Sequence, residues 1–373
     1  MTTELQPRDV AAYLATTGWQ LDQIRGPGAE IWRHGDDGAR VLLPVDPTFD
    51  DYPLRMGETL RYLSAAHEYT VQELATSVMR TRCDILYVRA EQTTVDGAIP
   101  LREADALLSG SVRMLEAAAL STVKRAATFA SRRPRSVVDF MNDDLRMGHT
   151  QRGSFVITIL TRLGDETEAE APQTESSGDD EAPRIVRIPG FQRRVMTTLS
   201  TGLVAAARTA ADPRLSPLAA GVDAGASSNL YGALDEMTGY EGLEALDLSF
   251  AWAPAVPQYG DIESTVVFTH KEAPRFKEAK KRLRQAPGIE KDSVTGQVVR
   301  LDRGADKEEG VVTITGVTGE GKKRNVRLRL QGETYRQAVR SHDLRAPVTC
   351  SGELEKQGTS WWLRNPVFTV VPK

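Results

Sequence analysis

The sequence predicts an α+β protein in which mixed α/β N-terminal and middle regions precede a C-terminal five-stranded β-barrel. The first observation is that residues 292–371 alternate apolar and polar residues in three segments, followed by a helical pattern and two more alternating segments. The second is that the earlier strand-like segments are separated by long amphipathic patterns typical of helices. The third is the length of 373 residues, which favours two or three units of ~100–150 residues each.

Composition shifts divide the chain into four predicted segments. Residues 165–181 hold eight Asp/Glu and no Lys/Arg, with small and polar residues between them. Such a composition buries little apolar area and predicts a flexible connection. The predicted segments are an N-terminal α/β region at 1–164, an acidic flexible segment at 165–183, a middle α/β region at 184–288 and a barrel at 289–373. A sheet shared between the N-terminal and middle regions remains an open alternative.

The first residues predict a helix followed by a β-hairpin. The helix is expected over Asp9–Gly18, and the strands Glu30–His34 and Arg40–Pro44 are joined by a glycine- and aspartate-rich turn. This opening of about 35 residues resembles the HicA-type, double-stranded-RNA-binding-like fold. HicA toxins carry a catalytic histidine in a Gly-Ser-His motif where this chain has Gly26-Pro27-Gly28-Ala29, so the resemblance implies no nuclease role. The alternative is that helix plus hairpin is a common start of an α+β domain.

Residues 139–163 contain the polar groups from which a hydrolytic site could be built. Their weak candidates for catalysis, which surround a glycine-bracketed loop before a strand, are Asp144, His149, Arg152 and Ser154. Acid–base or nucleophilic chemistry requires such groups within hydrogen-bond reach of one another, which spacing alone does not establish. The competing interpretation is a tight polar loop, so no catalytic residue is assigned.

Two other features have both a ligand-binding and a structural interpretation. A long helix predicted at Leu101–Ala130 is followed by the basic run Arg132-Arg133-Pro134-Arg135, which could contact phosphate or simply complement the negative helix end. The glycine-rich segment 221–229 precedes a helix and could cradle an anion, but it lacks the spacing of a nucleotide-binding loop. A capping role for Ser227 or Ser228 is the favoured interpretation.

The middle region is expected to end in a hairpin and a basic helix. Leu246–Trp252 and Ser264–Thr269 predict two strands that pair antiparallel, and Pro274–Gln285 predicts a helix rich in lysine and arginine.

The C-terminal pattern has the element order of an OB-type barrel. The predicted strands and the helix after the third strand are Val294–Leu301, Val311–Val317, Asn325–Leu330, Glu333–His342, Pro347–Leu354 and Ser360–Val370. In the third strand Arg327 and Arg329 alternate with apolar residues, so one side enters a core and the other presents two guanidiniums. The segments 348–354 and 361–366 resemble the last hairpin of bacterial OB domains.

Local charge on this architecture predicts a nucleic-acid-binding or adaptor protein. Residues 271–345 hold 19 Lys/Arg against 11 Asp/Glu, whereas the whole chain has a formal charge of −4. OB folds bind oligonucleotides across their second and third strands. The predicted contact residues, from the basic helix and the barrel, are Lys280, Lys281, Arg282, Arg284, Lys322, Lys323, Arg324, Arg327, Arg329 and Trp361. Either Trp361 or Trp362 could stack on a base, since strand alternation sends one of the two into the core. A solvated basic face is the competing interpretation.

The alternative functions are a hydrolase or nuclease with its site at Asp143–Ser154, and a protein-binding accessory subunit of a bacterial defence or repair complex.

Net charge, cysteine content and hydropathy limit the kinds of partner and the location that we expect for the protein. The negative net charge gives no global attraction to nucleic acid or anionic lipid, so any such attraction must come from a local patch. Cys83 and Cys350 form no CxxC pattern, and no metal or cofactor motif is present. No run approaches ~20 apolar residues and the N-terminus lacks a signal-peptide pattern, so we expect a cytoplasmic protein with DNA, RNA or a protein as partner and no membrane.

Overall fold

The computed structural model divides the chain into two compact units. It describes residues 5–35, 38–92, 99–129, 133–148, 155–170, 185–212, 214–215, 218–240, 242–256, 262–285, 290–304 and 307–370. The first unit comprises Met1–Ile85 with Ala251–Gln258, and the second comprises Leu86–Phe250 with Tyr259–Lys373. Helices and strands are both abundant, which confirms the α+β class.

The first unit packs helices against a three-stranded antiparallel sheet of order β1-β2-β3. Its elements are α1 (Pro7–Thr16), β1 (Trp19–Arg25), β2 (Ala29–His34), β3 (Ala39–Pro44), α2 (Tyr52–Ala66), α3 (Val71–Thr81) and the start of β4 (Cys83–Gln92). The predicted hairpin of β2 and β3 is confirmed, whereas β1 was not predicted. Trp19, Trp32 and Leu43 lie in its core with residues from all three helices.

Thr70 caps the N-terminus of α3. Its side chain accepts a hydrogen bond from the Glu73 amide, and the Glu73 carboxylate accepts one from the Thr70 amide at 2.8 Å. This reciprocal capping box satisfies amides that the first helical turn leaves without intrahelical partners.

The second unit begins with the rest of β4 and continues to the C-terminus. Its helices are α4 (Leu101–Val123), α5 (Arg135–Asp139), α6 (Phe191–Ala211), α7 (Leu218–Ala224), α8 (Ser228–Thr238), α9 (Ala273–Gln285) and α10 (Gly332–Asp343). Its strands are β5 (Lys124–Ala126), β6 (Leu145–Met147), β7 (Phe155–Arg162), β8 (Thr167–Glu170), β9 (Ile185–Ile188), β10 (Leu243–Ala251), β11 (Thr265–Phe268), β12 (Glu290–Asp302), β13 (Glu309–Thr318), β14 (Lys323–Gln331), β15 (Pro347–Gln357) and β16 (Ser360–Val370).

A five-stranded sheet joins strands that are far apart in sequence, in the order β11-β10-β4-β7-β6. The pairing of β10 with β11 is antiparallel, as the sequence predicts. Helix α4 packs against both α6 and α8. A Cβ on Gly110 of α4 would overlap Met237 of α8, so this glycine permits the close approach. The alanine-rich pattern of α4 therefore permits close helix packing.

The long helix is shorter than predicted. Periodicity placed its end at Ala130, but α4 ends at Val123 and Lys124–Ala126 form β5. The reason is a tertiary contact, because β5 pairs antiparallel with Glu290–Asp292 of β12.

The C-terminal strands close into a five-stranded barrel with the predicted OB-like connectivity. Antiparallel pairs β12–β13, β13–β14, β15–β16 and β12–β15 are completed by the parallel pair β14–β16. The interior is apolar and includes Val294, Ile314, Leu328 and Leu363. Helix α10 lies between β14 and β15 in sequence and contributes Tyr335 and Ala338 to this core.

The beginning of the predicted acidic segment takes part in a β-hairpin. This beginning, expected to be flexible, forms β8, which pairs antiparallel with β9. The β8–β9 hairpin places Ala169, Val186 and Ile188 against Val317 of the barrel. Packing of these apolar residues against the barrel thus orders a segment whose charge alone predicts a flexible connection.

Candidate nucleic-acid interface

The outer side of β14 presents the arginines that the sequence predicts there. Val326, Leu328 and Leu330 are buried, while Arg327 and Arg329 between them are exposed. No carboxylate lies within ion-pair distance of Arg327 in the described part of the chain, and Arg329 pairs with Glu309 at 3.5 Å. Arg327 therefore projects a guanidinium that is free to meet an anion.

The two adjacent tryptophans of β16 have different surroundings. Trp361 packs partly against the barrel core, and the guanidinium of Arg324 lies 4.8 Å from its ring centroid. Trp362 is paired in register with Arg327, and the Arg329 guanidinium lies 5.6 Å from its ring centroid. Trp362 is therefore the one of these two tryptophans that accompanies the outer arginines.

The structure distinguishes between the two tryptophans that the sequence left as alternatives. Buried Leu363 and exposed Arg364 fix the alternation of β16, which sends Trp361 inward with Leu363 and Trp362 outward with Arg364. Applying the alternation from Leu363 backwards identifies the outer tryptophan.

Trp362 lines a groove of about 440 Å³ at one end of this face. The residues that form the groove are Glu309, Arg329, Gln357, Trp362, Leu363, Arg364, Asn365 and Pro366. Arg364 pairs with Glu355 at 2.9 Å, so both groove arginines have a carboxylate neighbour. An aromatic ring between guanidiniums matches the chemistry of single-stranded nucleic acid, whose bases stack and whose phosphates are anionic.

The second barrel strand offers less of its outer side than the OB analogy implies. Thr313 and Thr315, opposite Arg327 and Asn325 in the register, are 6% and 2% exposed. The β8–β9 hairpin packs against β12 and β13, and the Gln297 amide donates to the Arg187 carbonyl oxygen at 3.4 Å. The open part of this face is therefore centred on β14 and β16.

The two lysines at the connection between β13 and β14 engage neighbouring groups of the same chain. Lys322 pairs with Glu320 at 2.9 Å, and Lys323 donates to the Glu168 carbonyl oxygen of β8. Both predicted lysine contacts are thus engaged with groups of the same chain.

The basic helix α9 distributes its predicted contacts over two sides. Lys280 and Arg284 line a pocket with α4 and α8. Arg282 pairs with Glu278 at 2.9 Å and donates to the Arg214 carbonyl oxygen, while Lys281 is exposed. The groove beside Trp362 and the pocket beside α9 share no lining residue.

Of the four weak catalytic candidates, the structure describes only Asp144. The Gln192 side-chain amide donates to its carboxylate at 2.8 Å, and burial raises the pKa of Asp144 despite that hydrogen bond. His149, Arg152 and Ser154 lie outside the described residues. A hydrolytic site at Asp143–Ser154 remains a prediction.

Comparisons with models of protein families, with curated proteins and with solved structures found no match. In the described part of the chain no three His, Cys, Asp or Glu side chains are grouped so as to hold a metal ion. None of the helices described is both long and apolar enough to cross a bilayer.

Proposed function

We propose that the chain binds single-stranded nucleic acid on the outer face of β14 and β16. The observation that carries the proposal is the combination of exposed Arg327 with Trp362 and Arg329 along neighbouring strands. Guanidiniums neutralise phosphates, and aromatic rings stack on bases with little dependence on sequence.

The geometry favours a flexible single strand over a duplex. Arg327 and Trp362 are in register across the parallel β14–β16 pair, so a phosphate and an unpaired base of one nucleotide can be contacted together. Bases inside a duplex are stacked on each other, so their faces are not free to stack on an aromatic side chain.

The test is the salt dependence of binding to labelled 15-nucleotide DNA and RNA, measured by fluorescence anisotropy. If Arg327 and Arg329 each neutralise one phosphate, Arg327→Gln with Arg329→Gln should reduce the slope of log K against log[salt] by about 1.4, at ~0.7 per phosphate for single strands. The matched control is Arg336→Gln with Arg340→Gln, which removes two exposed arginines from α10 of the same barrel.

Two results would contradict the proposal. One is no salt-sensitive binding of the wild-type chain to DNA or RNA at low salt. The other is an equal loss of oligonucleotide affinity in both double variants, which would indicate that binding depends on the net charge of the chain rather than on this face. Stable capture of a protein on β14 and β16, with no competition from oligonucleotide, would instead support the adaptor alternative.

A further inference from the structure

A second cationic site lies between α4, α8 and α9, away from the barrel groove. It is a pocket of about 510 Å³. Four basic side chains from three segments line it: Arg113, Arg133, Lys280 and Arg284. Ionic groups of one sign collected at a concave surface attract and concentrate small ions of the opposite sign.

The neighbouring carboxylates leave this pocket with an excess of positive charge. Glu116 is the acidic residue among its lining residues, and its carboxylate accepts a hydrogen bond from Arg133 at 3.1 Å. Arg113 pairs with Glu236, and Lys280 lies 3.7 Å from Asp235. In the described part of the chain Arg284 has no ion-pair partner. The carboxylates orient three cations around the opening, and Arg284 supplies a charge that they leave uncompensated.

The backbone of α8 permits the approach of the lysine. A Cβ on Gly232 would lie 3.4 Å from the Lys280 ammonium, so the missing side chain leaves room for that cation against the helix. The start of α8 is largely satisfied by the chain itself, because the Ser228 amide donates to the Ala127 carbonyl oxygen at 2.8 Å and the Leu230 amide to the Ser227 hydroxyl at 3.3 Å. Recognition of an anion therefore depends on the side chains rather than on the helix end.

One part of the wall is apolar and includes an aromatic ring. Phe129 is half-buried, and its amide donates to the Asn229 side-chain oxygen at 3.2 Å. Leu120, Ala117 and Ala233 extend this wall. A ligand that fills the pocket thus needs both an anionic part and a flat apolar part.

We propose that this pocket binds a nucleoside phosphate, with its phosphate among Arg113, Arg133, Lys280 and Arg284 and its base against Phe129. The pocket volume lies within the ~300–1,000 Å³ typical of small-ligand sites. The site is independent of the proposed binding of nucleic acid by the barrel, and it brings together Arg133 of the basic run, Ser228 and Asn229 of the glycine-rich segment, and α9.

The test uses isothermal titration calorimetry of the full chain with AMP, ATP, adenosine and inorganic phosphate. Lys280→Gln with Arg284→Gln should weaken AMP binding at least about tenfold, because two charge-assisted contacts are lost. Lys277→Gln with Lys281→Gln is the matched control, since it makes the same charge change at the same i, i+4 spacing on exposed positions of α9. That control should leave AMP affinity unchanged, and the barrel variant Arg327→Gln with Arg329→Gln should leave it unchanged too.

Each other result overturns part or all of the proposal. Adenosine binding as tightly as AMP would show that the cations are not used, and equal affinity for inorganic phosphate and AMP would remove the role of the base. No AMP or ATP binding at millimolar concentration, or equal losses in the pocket variant and its control, would refute the site. If the pocket variant and the barrel variant each lost both AMP and oligonucleotide binding, the two sites would be one nucleic-acid surface, so the proposed function would stand while this inference fell.

Discussion

Replacing the two tryptophans of β16 one at a time separates a binding role from a structural role at adjacent positions. Trp362→Ala removes the ring beside Arg329 in the groove, whereas Trp361→Ala removes a ring packed partly against the barrel core. Base stacking on an aromatic side chain contributes ~1–3 kcal/mol per base, so Trp362→Ala should weaken oligonucleotide binding roughly 5- to 150-fold. Its effect on the free energy of unfolding should be small, about 1 kcal/mol, since one side of the ring faces the groove.

Trp361→Ala should have the opposite profile. Full burial of a tryptophan gives losses of ~3–5 kcal/mol on truncation, and partial burial of Trp361 places the expected loss near the lower end of that range. Urea unfolding and fluorescence anisotropy with a labelled oligonucleotide measure the two effects independently. Trp362→Phe, which keeps an aromatic face, should recover most of the affinity. Wild-type binding by Trp362→Ala, or lost binding with unchanged stability in Trp361→Ala, would refute the assignment of the two rings.

Two further predictions concern stability. Gly296→Ala should lower the free energy of unfolding by about 2 kcal/mol or more, because the new methyl group would overlap the Thr315 carbonyl oxygen of the paired strand. The control Gly304→Ala, which has only ordinary van der Waals contacts nearby, should change it by less than ~0.5 kcal/mol. Urea unfolding measures both values. Asp144→Asn should raise the free energy of unfolding at pH 7, because burial raises the folded-state pKa of Asp144 and so disfavours its charged form. The gain in stability over the wild type should shrink as the pH falls through the folded pKa towards 3.8, because the wild-type carboxyl becomes protonated. A difference in stability that stays the same at low pH would contradict this account.

The barrel was predictable because its local patterns agree with its tertiary structure. In β14 every second residue is apolar and buried, so period-two alternation identified both the strand and its exposed arginines. The strand order followed from three strands, a helix and two strands, a sequence that closes into this barrel without long connections.

Elements decided by distant contacts were not predictable from local patterns. Lys124–Ala126 continue a helical pattern, but pairing with β12 makes them a strand. Thr167–Glu170 read as part of an acidic connection, yet packing of the hairpin on the barrel orders them. The pocket beside α9 combines residues from Arg113 to Arg284, and no spacing rule relates positions so far apart.

The pairing of β5 with β12 limits where the chain can be truncated. The Ser293 hydroxyl donates to the Thr122 carbonyl oxygen at 2.8 Å, and a Cβ on Gly319 would overlap the carbonyl oxygen of Val123, so the end of α4 fits directly against the barrel. A fragment beginning at residue 289 would lose these contacts and the pairing of Glu290–Asp292 with β5, and the strand edge exposed there favours self-association. Low solubility of such a fragment would therefore not by itself indicate an unstable barrel in the full chain, and a truncation that keeps these contacts must retain α4 and β5.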